Sequence, residues 1–189
     1  MTNIFTVANL KGGSGKSELA KQLTIYLSNK NKSVLLVDTD FNHDADMLLK
    51  EETGTYQNLE VIKPKPNEVK ELTENNFKNF DYVIIDTMND EKSLEQPIRL
   101  ADKVISPLLS GEFAYAAILR LNELVDVYGK EEQVIDVAMY EDSYGNKKTF
   151  EVEKNERINV LDSKLKFGNP EESTKVIEEI LKRVTTESK

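Results

Sequence analysis

The sequence predicts an α/β fold, a mostly parallel twisted sheet with helices on both faces. Three observations predict it: two β-branched and leucine runs that each end in aspartate, a glycine-rich segment joining a strand to a helix, and strand and helix patterns that alternate along the chain. A parallel strand covered on both faces needs a continuous apolar run, whereas a one-sided strand alternates apolar with polar. Ser33 to Asp38 and Tyr82 to Asp86 are such runs.

The remaining elements follow in order. Ile4 to Ala8 is a brief apolar strand, and Ser17 to Asn29 carries Leu19, Ala20, Leu23, Ile25, Tyr26 and Leu27 at helical spacing. With the strand that ends at Asp38, these make the first strand-helix-strand unit. Asn58 to Ile62 predicts a short, weaker strand and Asn67 to Asn79 a helix. Lys103 to Pro107 and Gln133 to Met139 predict strands, with a helix over Ala114 to Tyr128 between them. Residues 141 to 156 are charged and contain Tyr144-Gly145-Asn146, a turn or exposed hairpin, and Arg157 to Leu161 predicts a last strand. Glu171 to Val184 sets Val176, Ile177, Ile180, Leu181 and Val184 on one face of a closing helix.

At 189 residues the chain is expected to be a single domain, residues 1 to 189, and its 39% apolar and 31% charged residues are ordinary for a globular protein. Met1 to Val7 lacks the marks of a secretory signal and no stretch is long enough to span a bilayer, so a cytoplasmic location is expected. The absence of cysteine excludes disulfides and thiolate metal sites, and His43 is the only imidazole. A formal charge of −9 repels polyanions over the surface as a whole, so any DNA contact needs a local basic patch.

In open parallel sheets ligands bind beyond the carboxyl ends of the strands. Three groups fall there: the segment Asn9-Leu10-Lys11-Gly12-Gly13-Ser14-Gly15-Lys16-Ser17, Asp38 with Asp40, and Asp86. Gly12, Gly13 and Gly15 let a backbone curl with its N–H groups pointing inward, where side chains would clash with chain or anion. Lys16 would set an ammonium at the β- and γ-phosphates of a nucleotide, Ser17 a hydroxyl on Mg²⁺, and the following helix its positive end. The usual phosphate-loop pattern asks for a glycine five residues before Gly15, where this chain has Leu10, and a second lysine, Lys11, precedes the glycine pair.

That departure resembles the deviant Walker A loop of the ParA/MinD family of P-loop ATPases, with the ParA-type plasmid and chromosome partition ATPases as the nearest group. Val37-Asp38-Thr39-Asp40 resembles the family's second motif, Ile84-Ile85-Asp86-Thr87 its Walker B strand, and Ala101 to Pro107 followed by Glu112-Phe113-Ala114 its next strand and helix; together these cover residues 3 to about 125. The resemblance implies a P-loop NTPase fold and a slow, partner-stimulated Mg²⁺-dependent ATPase. Lys11, Gly12, Gly13, Ser14, Gly15, Lys16, Ser17 and Glu18 would bind ATP. Ser17, Asp40 and Asp86 would serve the magnesium. Lys11, Lys16 and Asp40 would be catalytic, Asp40 by helping to position the attacking water. Asp38 reads as structural, although Asp38 and Asp40 could exchange roles. His43 reads as a loop histidine, not a base.

The resemblance further implies an ATP-dependent homodimer in which Lys11 of each protomer reaches the nucleotide of the other. It also implies a ParB-like adaptor or centromere-binding protein, and non-specific nucleoid DNA as the surface on which cargo moves. The most basic stretch holds Lys164, Lys166, Lys175, Lys182, Arg183 and Lys189, interspersed with glutamates. A MinD-like membrane helix at the C-terminus is the alternative, although packing of that helix on the sheet is favoured. Three departures bear on turnover: Glu18 where the family has a hydroxyl residue, and Phe41-Asn42 and Met88-Asn89 where it has Pro-Gln and prolines. They keep open a non-catalytic, nucleotide-gated scaffold. A ligase of the wider fold generally lacks the extra lysine, and an iron-cluster reductase is removed by the missing cysteines.

Overall fold

A computed structural model describes residues 1–50, 56, 58–108, 112–130, 134–140, 165–166 and 170–186. The elements in chain order are β1 (Asn3–Val7), α1 (Lys16–Asn29), β2 (Val34–Asp38), α2 (Asp44–Lys50), β3 (Leu59–Ile62), α3 (Pro66–Val69), a 3₁₀ turn (Glu74–Asn76), β4 (Tyr82–Asp86), α4 (Glu91–Leu100), β5 (Lys103–Leu108), α5 (Glu112–Val127), β6 (Val134–Tyr140), β7 (Leu165–Lys166) and α6 (Pro170–Thr186). The strands lie in the order β3-β2-β4-β1-β5-β6-β7, and every pairing is parallel.

Side-chain alternation divides the strands between two apolar layers. Phe5, Val7, Val34, Leu36, Ile84 and Ile105 face α1 and α6, packing with Leu19, Leu23, Leu27, Val176, Ile177 and Ile180. Their neighbours point the other way: Ile4, Leu35, Val37, Val83 and Ile85 pack with Val69, Leu72 and Phe77, and Val104 packs with Leu94 and Ile98 of α4 and Leu121 and Val125 of α5. The strands are apolar throughout because both faces are covered. Truncating a fully buried side chain such as Leu23 would cost about 2–5 kcal/mol.

The helix expected over Asn67 to Asn79 is corrected to two short pieces. Thr73 adopts an extended conformation that a helix does not pass through, and its N–H and hydroxyl both bond to the Asn76 carboxamide at 2.8 Å, capping the start of a separate 3₁₀ turn. Two helices, α2 and α4, carry no expectation from the sequence. In α4, Pro97 removes a helix donor and blurs the pattern, yet Asp90 caps the helix by accepting from the N–H groups of Lys92 and Ser93, and Leu94, Pro97 and Ile98 are buried at helical spacing. The hairpin expected at 141 to 156 and the strand expected at Arg157 to Leu161 lie outside the described residues.

The C-terminal helix α6 packs on the sheet side of α1 through Val176, Ile177 and Ile180, all buried, as the sequence favoured. Among the described residues no helix is long and apolar enough to cross a membrane.

Candidate nucleotide site

Parallel register brings the strand ends together. Val7 pairs with Asp86 and Asp38 pairs with Asp86, so β1, β2 and β4 finish side by side. Two threonine hydroxyls tie the exits: Thr87 Oγ1 donates to the Val7 carbonyl and Thr39 Oγ1 to the Asp86 carbonyl, each at 2.8 Å.

The glycine loop runs from β1 into α1. Gly13 and Gly15 have φ values of 68° and 88°, the left-handed region that a side chain disfavours. At Gly12 the crowding is milder: a Cβ there would stand 3.2 Å from Asn89 Nδ2, a tight contact that the exposed asparagine side chain relieves by a shift of a few tenths of an ångström. The loop entrance is held by Asn9, buried, whose Nδ2 donates to the Pro107 carbonyl at 2.8 Å and to Ser106 Oγ at 3.3 Å while its Oδ1 accepts the Lys11 N–H at 2.7 Å. Leu10, the residue that breaks the usual pattern, packs against the layer formed with α4 and α5.

At the other end α1 begins on Gly15 with no side-chain cap, so its first-turn N–H groups remain open to an anion. Ser14 is buried and its hydroxyl has no hydrogen-bond partner. Such an orphaned group in an inward-curling loop fits a phosphate, which would satisfy it.

Lys16 is only 7% exposed, and burial pulls its ammonium below the usual lysine range while Asp86, Asp40 and Asp44 push it back up. Asp86 is fully buried with neither carboxylate oxygen hydrogen-bonded. Burial raises it to about 7; the nearby Ser17 hydroxyl and the Lys16 ammonium oppose the rise, and Asp38 and Asp40 add to it. An unpaired buried carboxylate beside a hydroxyl and an ammonium is a costly arrangement that a cation would relieve. Among the described residues no group of three or more His, Cys, Asp or Glu is arranged to hold a metal. The unpartnered Asp86 carboxylate beside the Ser17 hydroxyl fits Mg²⁺, which takes one or two protein ligands and completes its shell with phosphate and water.

The two aspartates after β2 separate by their surroundings. Asp38 is buried and accepts the N–H of Asp46 at 2.9 Å and of Asp40 at 3.2 Å, anchoring the start of α2; burial raises its pKa, against those two hydrogen bonds and His43. Asp40 is half-buried, accepts the Asn42 N–H at 3.0 Å, and lies close enough to act on Lys16 and Asp86. His43 Nδ1 stands 3.8 Å from Asp38, on the structural carboxylate. Lys11 is half-buried, and its ammonium forms no ion pair among the described residues.

The strand ends thus gather Lys16, Ser17, Asp40 and Asp86 around the loop of Gly12 to Gly15. Missed in the sequence were the threonine ties, the Asn9 anchor and the contact of Asn89 with Gly12; only the position of Asn89 three residues after Asp86 hinted at the last. Phe41, noted as a departure, is 78% exposed beside Asp40. A neighbouring cavity of ≈ 430 Å³, lined in part by Thr39, Val69, Met88 and Gln96, includes no residue of the glycine loop.

A strand, a glycine loop on a helix N-terminus and carboxylates ending adjacent parallel strands define a P-loop nucleotide-binding protein. The chain belongs to the CobQ/CobB/MinD/ParA nucleotide-binding domain family, whose model matches residues 5–186. It is similar to a plasmid partition protein from Borrelia burgdorferi, with 20% identity, a TM-score of 0.72, and 96% of this chain and 99% of that chain covered. A plasmid partition protein from the same organism bound to AMPPNP has 21% identity and a TM-score of 0.68 over 96% and 99% of the two chains. Among curated proteins it is 29% identical over 133 residues to the signal recognition particle protein of Helicobacter pylori, a match covering 62% of this chain and 30% of that protein's length.

Proposed function

We propose that the chain is a ParA-type, Mg²⁺-dependent ATPase that acts as a switch in DNA partitioning. The observation that carries this reading is the loop itself: left-handed Gly13 and Gly15, the orphaned Ser14 hydroxyl, an uncapped α1 and buried Lys16 facing Asp86 form an anion cradle with a cation site at its edge. Its likeness to a partition protein bound to AMPPNP, an ATP analogue, supports the same ligand class.

In this reading Lys16 and the loop N–H groups hold the phosphates, and Ser17 and Asp86 hold the magnesium. The metal supplies charge neutralisation at the phosphates during transfer. Asp40, half-buried at the strand end, orients the attacking water, while Asp38 holds the segment between β2 and α2 in register. Lys11, half-buried and without an ion pair among the described residues, reaches a nucleotide held by a second copy of the chain, so ATP favours a sandwich dimer and ADP the monomer. The dimer carries cargo through a ParB-like adaptor over non-specific DNA. Burial of the apolar face of α6 against α1 supports DNA over membrane as that surface, because the face a lipid would take is already used.

The test is ATP turnover and oligomeric state of the native chain, Lys11→Ala and Lys16→Ala, with and without plasmid DNA of arbitrary sequence. Lys16→Ala should lose nucleotide binding. Lys11→Ala should keep binding but stay monomeric and inactive. A Lys11→Ala variant that dimerises and turns over normally refutes the ParA-type switch, and binding to liposomes in place of DNA selects the MinD-like alternative.

A further inference from the structure

We propose that Asn89 contacts the nucleotide, its carboxamide donating a hydrogen bond to the terminal phosphate of a bound triphosphate, so that the chain distinguishes triphosphate from diphosphate. The inference rests on the nucleotide reading above and deepens it.

Asn89 Nδ2 stands 3.2 Å from the position a Cβ would take on Gly12, which places the amide against the backbone of the phosphate loop. Both Asn89 and Gly12 are exposed, so the amide lies over the open side of the loop, away from the packed core. Its root is held on both sides. Two residues earlier Thr87 is bonded to the Val7 carbonyl at 2.8 Å, and one residue later Asp90 caps α4 through the N–H groups of Lys92 and Ser93. A side chain so mounted approaches a ligand with little backbone reorganisation.

The end of the nucleotide it meets follows from its neighbours. Asp86 and Asp40, assigned to the metal and the attacking water, end β4 and begin the segment after β2, so the terminal phosphate belongs against these strand ends. Asn89 continues directly from β4 on that side. A carboxamide offers two N–H donors and carries no charge, so it stabilises a phosphate oxygen without titrating, and a hydrogen bond to a charged acceptor is among the stronger ones. Lys16 supplies charge; Asn89 supplies a directed donor.

The measurement is calorimetric titration of AMPPNP and of ADP, each with Mg²⁺, into the native chain, Asn89→Ala and Asn89→Asp. Asn89→Ala should weaken AMPPNP by about tenfold and leave ADP within about twofold, the loss of one hydrogen bond to a charged group. Asn89→Asp should weaken AMPPNP further, because a carboxylate would face the phosphate. Equal losses for both nucleotides, or none, overturn the assignment while leaving the nucleotide reading intact. A native chain that binds neither nucleotide overturns that reading and this inference with it. Because Asn89 is exposed, the variants should unfold at the native temperature, and a lowered midpoint that accompanies equal losses marks a merely structural residue.

Discussion

Glu18 turns away from the phosphate loop and pairs with Lys21 at 3.0 Å, while its other oxygen accepts the Gln22 amide at 2.7 Å. Both partners lie one turn further along α1, so the carboxylate that the sequence sets beside Ser17 is drawn down the helix. Its charge is also partly neutralised there.

Glu18→Ala should therefore change nucleotide affinity by less than about threefold, since a paired charge directed along the helix repels a phosphate weakly. Stability should fall by about 1 kcal/mol or less, the scale of a local helix pair. Nucleotide titration and urea denaturation of the same variant check the two halves. A gain in affinity of tenfold or more would mean that the carboxylate does face the nucleotide.

Asn9 closes the loop entrance with three hydrogen bonds from a buried side chain. Asn9→Ala strips the Lys11 N–H and the Pro107 carbonyl of their partner and should cost about 2–4 kcal/mol in chemical denaturation. Nucleotide affinity should fall with it, because the loop loses its tie to β5.

Asp46 is buried and its Oδ2 accepts from Lys50 at 2.7 Å and Lys63 at 2.9 Å. Burial raises its pKa, but the two lysines outweigh it and the net displacement is downward. A carboxylate held below its unfolded value stabilises the fold above about pH 4 and loses that contribution as pH falls through the folded value. Asp46→Asn should be less stable than the native chain at pH 7 by about 1–2 kcal/mol, and the gap should close in acid; urea midpoints from pH 7 down to pH 3 follow it.

Asp86 presents the opposite case, a buried carboxylate with no hydrogen-bonded partner. Without magnesium and nucleotide, Asp86→Asn should stabilise the chain at pH 8 by on the order of 1–3 kcal/mol, because an uncompensated charge leaves the interior. Adding Mg²⁺ and ATP should then raise the unfolding temperature of the native chain and barely move that of the variant.

Local signals carried most of the fold. Unbroken apolar runs marked β2 and β4 because a doubly covered strand has no polar face, and helical spacing marked α1 and α6 because each buries one stripe. Local signals failed where side-chain hydrogen bonds or a proline overrode them: an extended Thr73, held by Asn76, interrupts the helix expected over Asn67 to Asn79, and Pro97 obscured α4. The short α2 owes its start to Asp38, a residue eight positions from the N–H of Asp46 that it accepts.

By itself the sequence determined the α/β class, the family and the residues of the phosphate loop, since these depend on residue types at close spacing: glycines that curl, a lysine and serine at a helix start, aspartates at strand ends. Only the folded structure decided which aspartate anchors and which stands open, where Glu18 points, and that the Asn89 amide lies over Gly12. Glu18 is turned by partners on its own helix, whereas the burial of the aspartates and the approach of Asn89 to Gly12 depend on segments that meet from distant parts of the chain. Parallel pairing of β4 with both β1 and β2, and of β1 with β5, brings such segments together, and the chain's local pattern carries no record of the angles at which they meet.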